Sequence, residues 1–136
     1  MKKIPSIMIV VWGIAVLCTL FLSSCKRPEV LDNSTLVNSA RNVALTFGPA
    51  YVPFFKEANV SDVQVFKKKD YGGDSRPQIR KQIGRKFYTV TFTYDSTAVK
   101  FDFGFAARVR IWKDTGEPLD VIFGNGWGRN FLFLSF

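Results

Sequence analysis

The chain has 136 residues, 47% of them apolar and 15% aromatic, and a formal net charge of +8. That length suits one domain, and 14 Phe among the apolar residues exclude a disordered chain, which lacks the apolar surface to offset chain entropy. With no histidine and only two cysteines, Cys18 and Cys25, the chain has neither the commonest general base nor the ligands of a zinc site, so no metal or cofactor is expected.

The first 25 residues fall into three parts. Lys2 and Lys3 give a positive start, IMIVVWGIAVLCTLFL (7–22) is almost wholly apolar, and Ser23, Ser24 and Cys25 follow. This is the order of a secretory signal peptide. Leu22-Ser23-Ser24-Cys25 also resembles the bacterial lipobox, an aliphatic residue and two small ones before a cysteine. The resemblance implies a diacylglycerol on the Cys25 thiol, cleavage between Ser24 and Cys25, and an anchor of palmitate-like acyl chains. Two or three such chains hold a protein on a membrane where one does not. The competing reading is an uncut membrane helix, since Ile4 to Leu22 is near the roughly 20 residues that span a bilayer. Both readings put the rest of the chain outside the cytoplasm. Lys26 stands where some bacteria place the aspartate linked with inner-membrane retention, which favours the outer membrane of a double-membraned cell.

Residues 1–24 are therefore read as signal peptide, 25–33 as lipidated N-terminus and tether, and 34–136 as one domain. Removal of the leader leaves one thiol and no intramolecular disulfide, so the domain depends on its core. Asp32, Asn33 and Ser34 are all good helix N-caps. After them Leu36, Val37, Ala40, Val43, Ala44 and Phe47 share one helical face, and Gly48-Pro49 ends the helix. Residues 50–58 suggest a second short helix, with Pro53 against it.

From residue 60 the apolar period is two. Val63 and Val65 mark a first strand, and 70–84, with Gly72, Gly73, Pro77 and Gly84, reads as a long connection. Tyr88, Val90, Phe92 and Tyr94 then alternate with Thr89, Thr91 and Thr93. The longest alternation follows: Val99, Phe101, Phe103, Phe105, Ala107, Val109 and Ile111 against Lys100, Asp102, Gly104, Ala106, Arg108, Arg110 and Trp112. It predicts one long strand with a single buried face, with Gly104 marking a bend or bulge. KDTGEP (113–118) is a turn, Leu119, Val121 and Phe123 begin another strand, GNGWG (124–128) is a loop, and FLFLSF (131–136) suggests a last short strand.

The class expected is α+β: an N-terminal helix or helix pair packed on a four- to five-stranded antiparallel sheet. The element order is similar to cystatin-like and NTF2-like folds, an analogy that carries no function. Four or five strands are too few for a transmembrane barrel.

Lys2 and Lys3 lie in the leader, so the chain beyond it carries 17 of the 19 basic residues and all 11 acidic ones. Its excess sits in 67–86, where Lys67, Lys68, Lys69, Arg76, Arg80, Lys81, Arg85 and Lys86 face only Asp70 and Asp74. One reading is a site for an anionic partner, a lipid headgroup, lipopolysaccharide, an acidic glycan or an acidic protein, at about 1 kcal/mol for each cation near an anionic surface. The other is a solvated loop that guards a strand edge. Nucleic acid is excluded by location and by the lack of a binding motif. Trp127, between glycines, either stacks on a sugar ring or partner side chain, helped by Asn125, Arg129 and Asn130, or plugs the end of the sheet, the commoner fate of a large aromatic. Asp114, Glu117 and Asp120 read as turn solvation, and Arg108 and Arg110 with Asp102 as a surface charge ladder. No catalytic residues are assigned and the chain is read as not an enzyme.

FAARVRIWKDTGEP (105–118) and FGNGWGRNF (123–131) resemble a family of small lipoproteins of unknown function from gut Bacteroidota. With the lipobox, the similarity covers most of the domain. It implies an envelope address and a single-domain form, and transfers no site residues. The function expected is a membrane-anchored, non-catalytic binding module. The alternatives are an assembly accessory of an envelope complex and, below that, a hydrolase that works without histidine.

Overall fold

The computed structural model describes residues 31–72 and 76–133. The leader, the lipobox with Ser24 and Cys25, and the last three residues of FLFLSF lie outside them. The fold is α+β: an N-terminal helix packs on one face of a six-stranded, fully antiparallel open sheet.

Helix α1 runs Asn33–Phe47. Of the three N-cap candidates the structure uses Asp32, whose Oδ1 accepts the Thr35 N–H at 2.7 Å, and Gly48 closes the other end. Leu36, Ala40 and Ala44 form the buried stripe. Two alanines on that stripe let the helix axis lie close to the sheet. Residues Pro49–Phe54 continue as a 3-10 helix, the form taken by the expected second helix.

The strands are β1 (Ala58–Val60), β2 (Gln64–Val65), β3 (Lys86–Phe92), β4 (Ala107–Trp112), β5 (Pro118–Phe123) and β6 (Gly128–Asn130). Their spatial order is β1-β3-β4-β5-β6, with β2 paired to β3 beyond β1. A 3-10 turn (Lys68–Tyr71) and a one-turn helix α2 (Pro77–Arg80) lie between β2 and β3, in the expected connection. The sheet has one strand more than expected, because 58–65 gives two short strands and Val63 lies in neither.

Two corrections concern β4 and β6. The alternation from Val99 predicted a long strand, yet residues 102–106 are bends and pairing begins at Ala107. A ladder needs a neighbour of equal length. β3 stops at Phe92, and after it Asp95 takes the Thr97 N–H and hydroxyl into a turn. Phe101 instead packs on Tyr94 and Tyr51, with ring centroids 4.8 and 5.5 Å apart. Among the described residues the last strand is Gly128–Asn130, and 131–133 of FLFLSF lie outside it, since the backbone leaves the turn at Gly126 (φ +85°) already paired with β5.

Both sheet faces carry core. Under α1 lie Val90, Phe92, Val109, Ile111, Val121 and Phe123. On the opposite face Phe66 and Ile79 cover Phe87, Trp112 and Leu119. Trp112 does sit on the polar side of the alternation, but it is buried there, edge-on to Phe66 (5.5 Å) and Phe87 (6.3 Å). A register shift between Arg110 and Ile111 accompanies the packing of Leu119 against this second cluster.

Candidate functional site

The second cluster covers one end of the face opposite α1. The rest of that face is a groove of about 880 Å3. Its floor is the polar side of β3 and β4, with Thr89 and Thr91 beside Arg110 and Arg108. The segment 61–70 forms one side, with Ser61, Val63, Gln64, Val65, Lys67, Lys69 and Asp70, and Ile122 on β5 forms the other.

Period two places these floor residues together. The chain's apolar alternation faces α1, so the intervening threonines and arginines project onto the other face. The side wall is held by short-range bonds. Ser61 Oγ accepts the Thr89 N–H at 3.0 Å, and the Thr89 hydroxyl donates to Gln64 Oε1 at 2.7 Å. Asp70 Oδ2 accepts the Lys67 N–H at 2.6 Å, which occupies one of its oxygens in closing the 3-10 turn.

Arg110 is the anchored cation of the floor. Its Nε donates to both carboxylate oxygens of Asp120 on the adjacent strand, at 2.9 and 3.1 Å, and its terminal nitrogen pairs with Oδ2. Burial works against the Arg110 charge, but the hydrogen bonds and charge of Asp120, with a smaller contribution from Asp70, outweigh it and raise the pKa above the ordinary guanidinium value. Asp120 is 6% exposed. The reading of Asp120 as turn solvation, and of Arg108 and Arg110 as a ladder with Asp102, is thereby corrected. The partner of Arg110 is Asp120 across the β4–β5 pair, whereas Asp102 lies in the exposed bends before β4. Arg108 lies over the Phe105 ring at 4.3 Å.

Of the eight basic residues singled out in 67–86, Lys67 and Lys69 line the groove and the others do not. Arg85 forms a structural clamp: it pairs with Asp114 at 2.6 Å and stacks over Trp112 at 4.0 Å. Its hydrogen bond, against a smaller desolvation effect, holds the Asp114 carboxyl below the ordinary 3.8. Arg76 lies over Phe133 at 3.7 Å. Lys68, Arg80, Lys81 and Lys86 are exposed outside the groove. The sequence reading missed Arg108 and Arg110 as site residues. The signal was their placement opposite the apolar side of one strand, with threonines alternating likewise on the preceding one.

The Trp127 loop is a separate feature. Trp127 is 50% exposed, so the end-plug reading is corrected, although one indole face stacks on Phe123 at 5.4 Å. Asn125 Oδ1 accepts the Trp127 N–H at 3.1 Å and pins the loop. Arg129 is directed elsewhere, over the Phe47 ring at 5.0 Å on the α1 side. Phe103, 46% exposed, lies where a side chain on Gly126 would touch it, and Phe54, 40% exposed, meets Phe101 beside Gly124. The end of the 3-10 helix and two loops thus bring exposed aromatics to one end of the molecule. The other end is marked by Leu31 beside Gly116 in the β4–β5 turn, roughly the 22 Å length of α1 away.

Among the described residues no three acidic or thiol side chains converge as a metal site, and no helix is long and apolar enough to cross a membrane. No family model, curated protein or solved structure matches this chain.

Proposed function

We propose that the chain is a lipid-anchored envelope protein whose domain binds an anionic ligand, without catalysis, in the groove on the open face of its sheet. The observation that supports this reading is the convergence of Lys67, Lys69, Arg108 and Arg110 on one concavity where, among the described residues, Asp70 is the only lining carboxylate. In a concave setting several cations of one sign focus their field on an anion more than they would on a flat surface. The volume is that of a small-molecule site. Lipobox cleavage and acylation at Cys25 would hold this groove at a membrane, with the tether entering beside the β4–β5 turn.

Two experiments test the two halves. Cys25→Ala should leave an unlipidated precursor of full length, and mature acylated protein from that variant would end the anchor model. Lys67→Glu with Lys69→Glu should abolish salt-sensitive binding to anionic vesicles or phosphate, while Lys81→Glu should not. Equal loss from all of them would assign the effect to net charge and not to the groove.

A second reading, an accessory that contacts another envelope protein, is favoured by the exposed aromatic end. Phe54, Phe103 and Trp127 sit at the end far from the tether. Exposed aromatics of this kind are the usual anchors of protein contacts. Crosslinking in intact cells, lost in Trp127→Ala and Phe103→Ala but kept in the groove variants, would support it.

A further inference from the structure

We infer that the end of the domain nearest the anchor docks on an anionic phospholipid surface, with Ile83 in the headgroup layer, so that the aromatic end faces away from the bilayer. This rests on the lipid-anchor half of the reading above and is independent of the groove.

Charge is polarised along the molecule. Leu31, the first described residue, lies beside Gly116 in the β4–β5 turn. In the same turn the Lys113 N–H donates to the Lys86 carbonyl at 2.9 Å, and Asp114 pairs with Arg85. The Phe66 N–H donates to the Arg85 carbonyl at 2.8 Å, which brings Lys67 to Lys69 to this end as well. The lysines of 67–86 and Lys113 are exposed and form no ion pair among the described residues. The described carboxylates at this end, besides Asp114, are Asp32, Asp70 and Glu117. At the aromatic end Lys56, Lys100 and Arg129 stand against Glu57, Asp95 and Asp102, so charge there is balanced. Apolar exposure accompanies the cations. The turn 81–84, closed by Gly84 at φ +89°, presents Ile83, 45% exposed, between Lys81 and Lys86. Cations around an exposed aliphatic fit a headgroup layer, where charge meets lipid phosphate and the side chain meets the acyl boundary.

The tether makes this end the one that meets the bilayer. Residues 25–30 span at most about 20 Å. An acylated Cys25 therefore keeps Leu31 and the lysines around it near the surface, while the aromatic end lies roughly another 22 Å away, the length of α1. Each lysine close to an anionic surface strengthens attachment about fivefold. Such contacts are too weak to hold a free domain, but a short tether supplies an effective concentration on the order of millimolar, at which they set orientation.

The test uses the protein purified from cell membranes, with acylation of Cys25 checked by mass, in phosphatidylcholine vesicles with or without phosphatidylglycerol. A brominated lipid quenches a fluorophore carried either on Thr115→Cys at the anchor end or on Ser96→Cys at the aromatic end, both exposed positions. Phosphatidylglycerol should raise quenching at 115 and not at 96, and high salt should reverse it. Lys86→Gln with Lys113→Gln should lower the ratio of docked to undocked domain about 25-fold, fivefold for each cation. Ile83→Ser is the second, independent variant and should lower it several-fold with the salt dependence kept. Arg108→Gln, which removes a groove cation, should leave docking unchanged. Equal quenching at 115 on both lipids, or quenching at 96, would overturn the inference and leave the anchor standing. Docking lost in Arg108→Gln would overturn it in favour of a headgroup held in the groove. A bare thiol at Cys25 would remove the anchor and this inference together.

Discussion

Asp120→Asn separates the structural role of the Arg110–Asp120 pair from its electrostatic effect on the groove. The substitution keeps the shape of the side chain and removes its charge. Asp120 and Arg110 side chains are 9% and 18% exposed, so the guanidinium loses its counter-ion where water replaces it poorly. Breaking a buried pair by removing one partner costs about 3–5 kcal/mol. Arg110 borders the groove, and an Asn carbonyl still accepts one N–H, so a loss of about 2–3 kcal/mol is expected. With a urea dependence on the order of 1–2 kcal/mol per molar for so small a domain, the midpoint should fall by roughly 1–3 M. Anion affinity should move the other way. Asp120 pairs with Arg110 on the groove floor, and removing its negative charge should favour a nearby anion by on the order of 1 kcal/mol, about fivefold tighter binding. Urea denaturation and phosphate titration of the same protein read both effects. Lower stability with weaker or unchanged phosphate binding would refute the reading that an anion in the groove feels the charge of the Arg110–Asp120 pair. Unchanged stability would refute the buried pair. Replacing both residues by Leu should recover most of the stability and lose the binding.

Other perturbations test the frame that holds the groove. Leu36→Ala empties a fully buried position between α1 and the sheet and should cost about 2–5 kcal/mol in urea denaturation, with groove affinity preserved in the folded fraction. Gly124→Ala sets a methyl 2.6 Å from the Phe105 carbonyl oxygen and against Phe101, and should destabilise by about 1–3 kcal/mol, because backbone on one side cannot rotate away. Asp114 has its folded pKa depressed by Arg85, so the stability it contributes is present above the ordinary carboxylate pKa and is lost as pH falls through the lowered folded value. Asp114→Asn should therefore lower the urea midpoint at neutral pH and flatten its fall on the acid side of the carboxylate range. A parallel curve would show that the pair contributes nothing to folding.

Much of the frame was legible in the residue order. The stripe Leu36, Ala40, Ala44 marks α1, and the alternations at Val90–Phe92 and Ala107–Ile111 mark two central strands, because each periodicity is a direct consequence of backbone geometry. The same rule misled at Val99–Phe105. Alternating apolar residues need a packed surface, and the 3-10 helix after α1 supplied one without a ladder. Trp112 was assigned to the right face with the wrong environment, since the cover that buries it, Phe66 and Ile79, comes from a segment 33 to 46 residues earlier.

The candidate site divides along the same line. A run of like charges such as 67–86 is visible in one dimension, and so is the polar side of a strand. Which charges meet is a matter of pairing. The antiparallel register sets Arg108 and Arg110 against Thr91 and Thr89, puts Asp120 beside Arg110, and turns Arg85 away to Asp114. Residue order determined that this chain would fold as a helix on an antiparallel sheet with excess positive charge. Only the tertiary structure decided where that charge becomes a groove, because strands distant in the chain share one face only after their backbone hydrogen bonds have chosen a register.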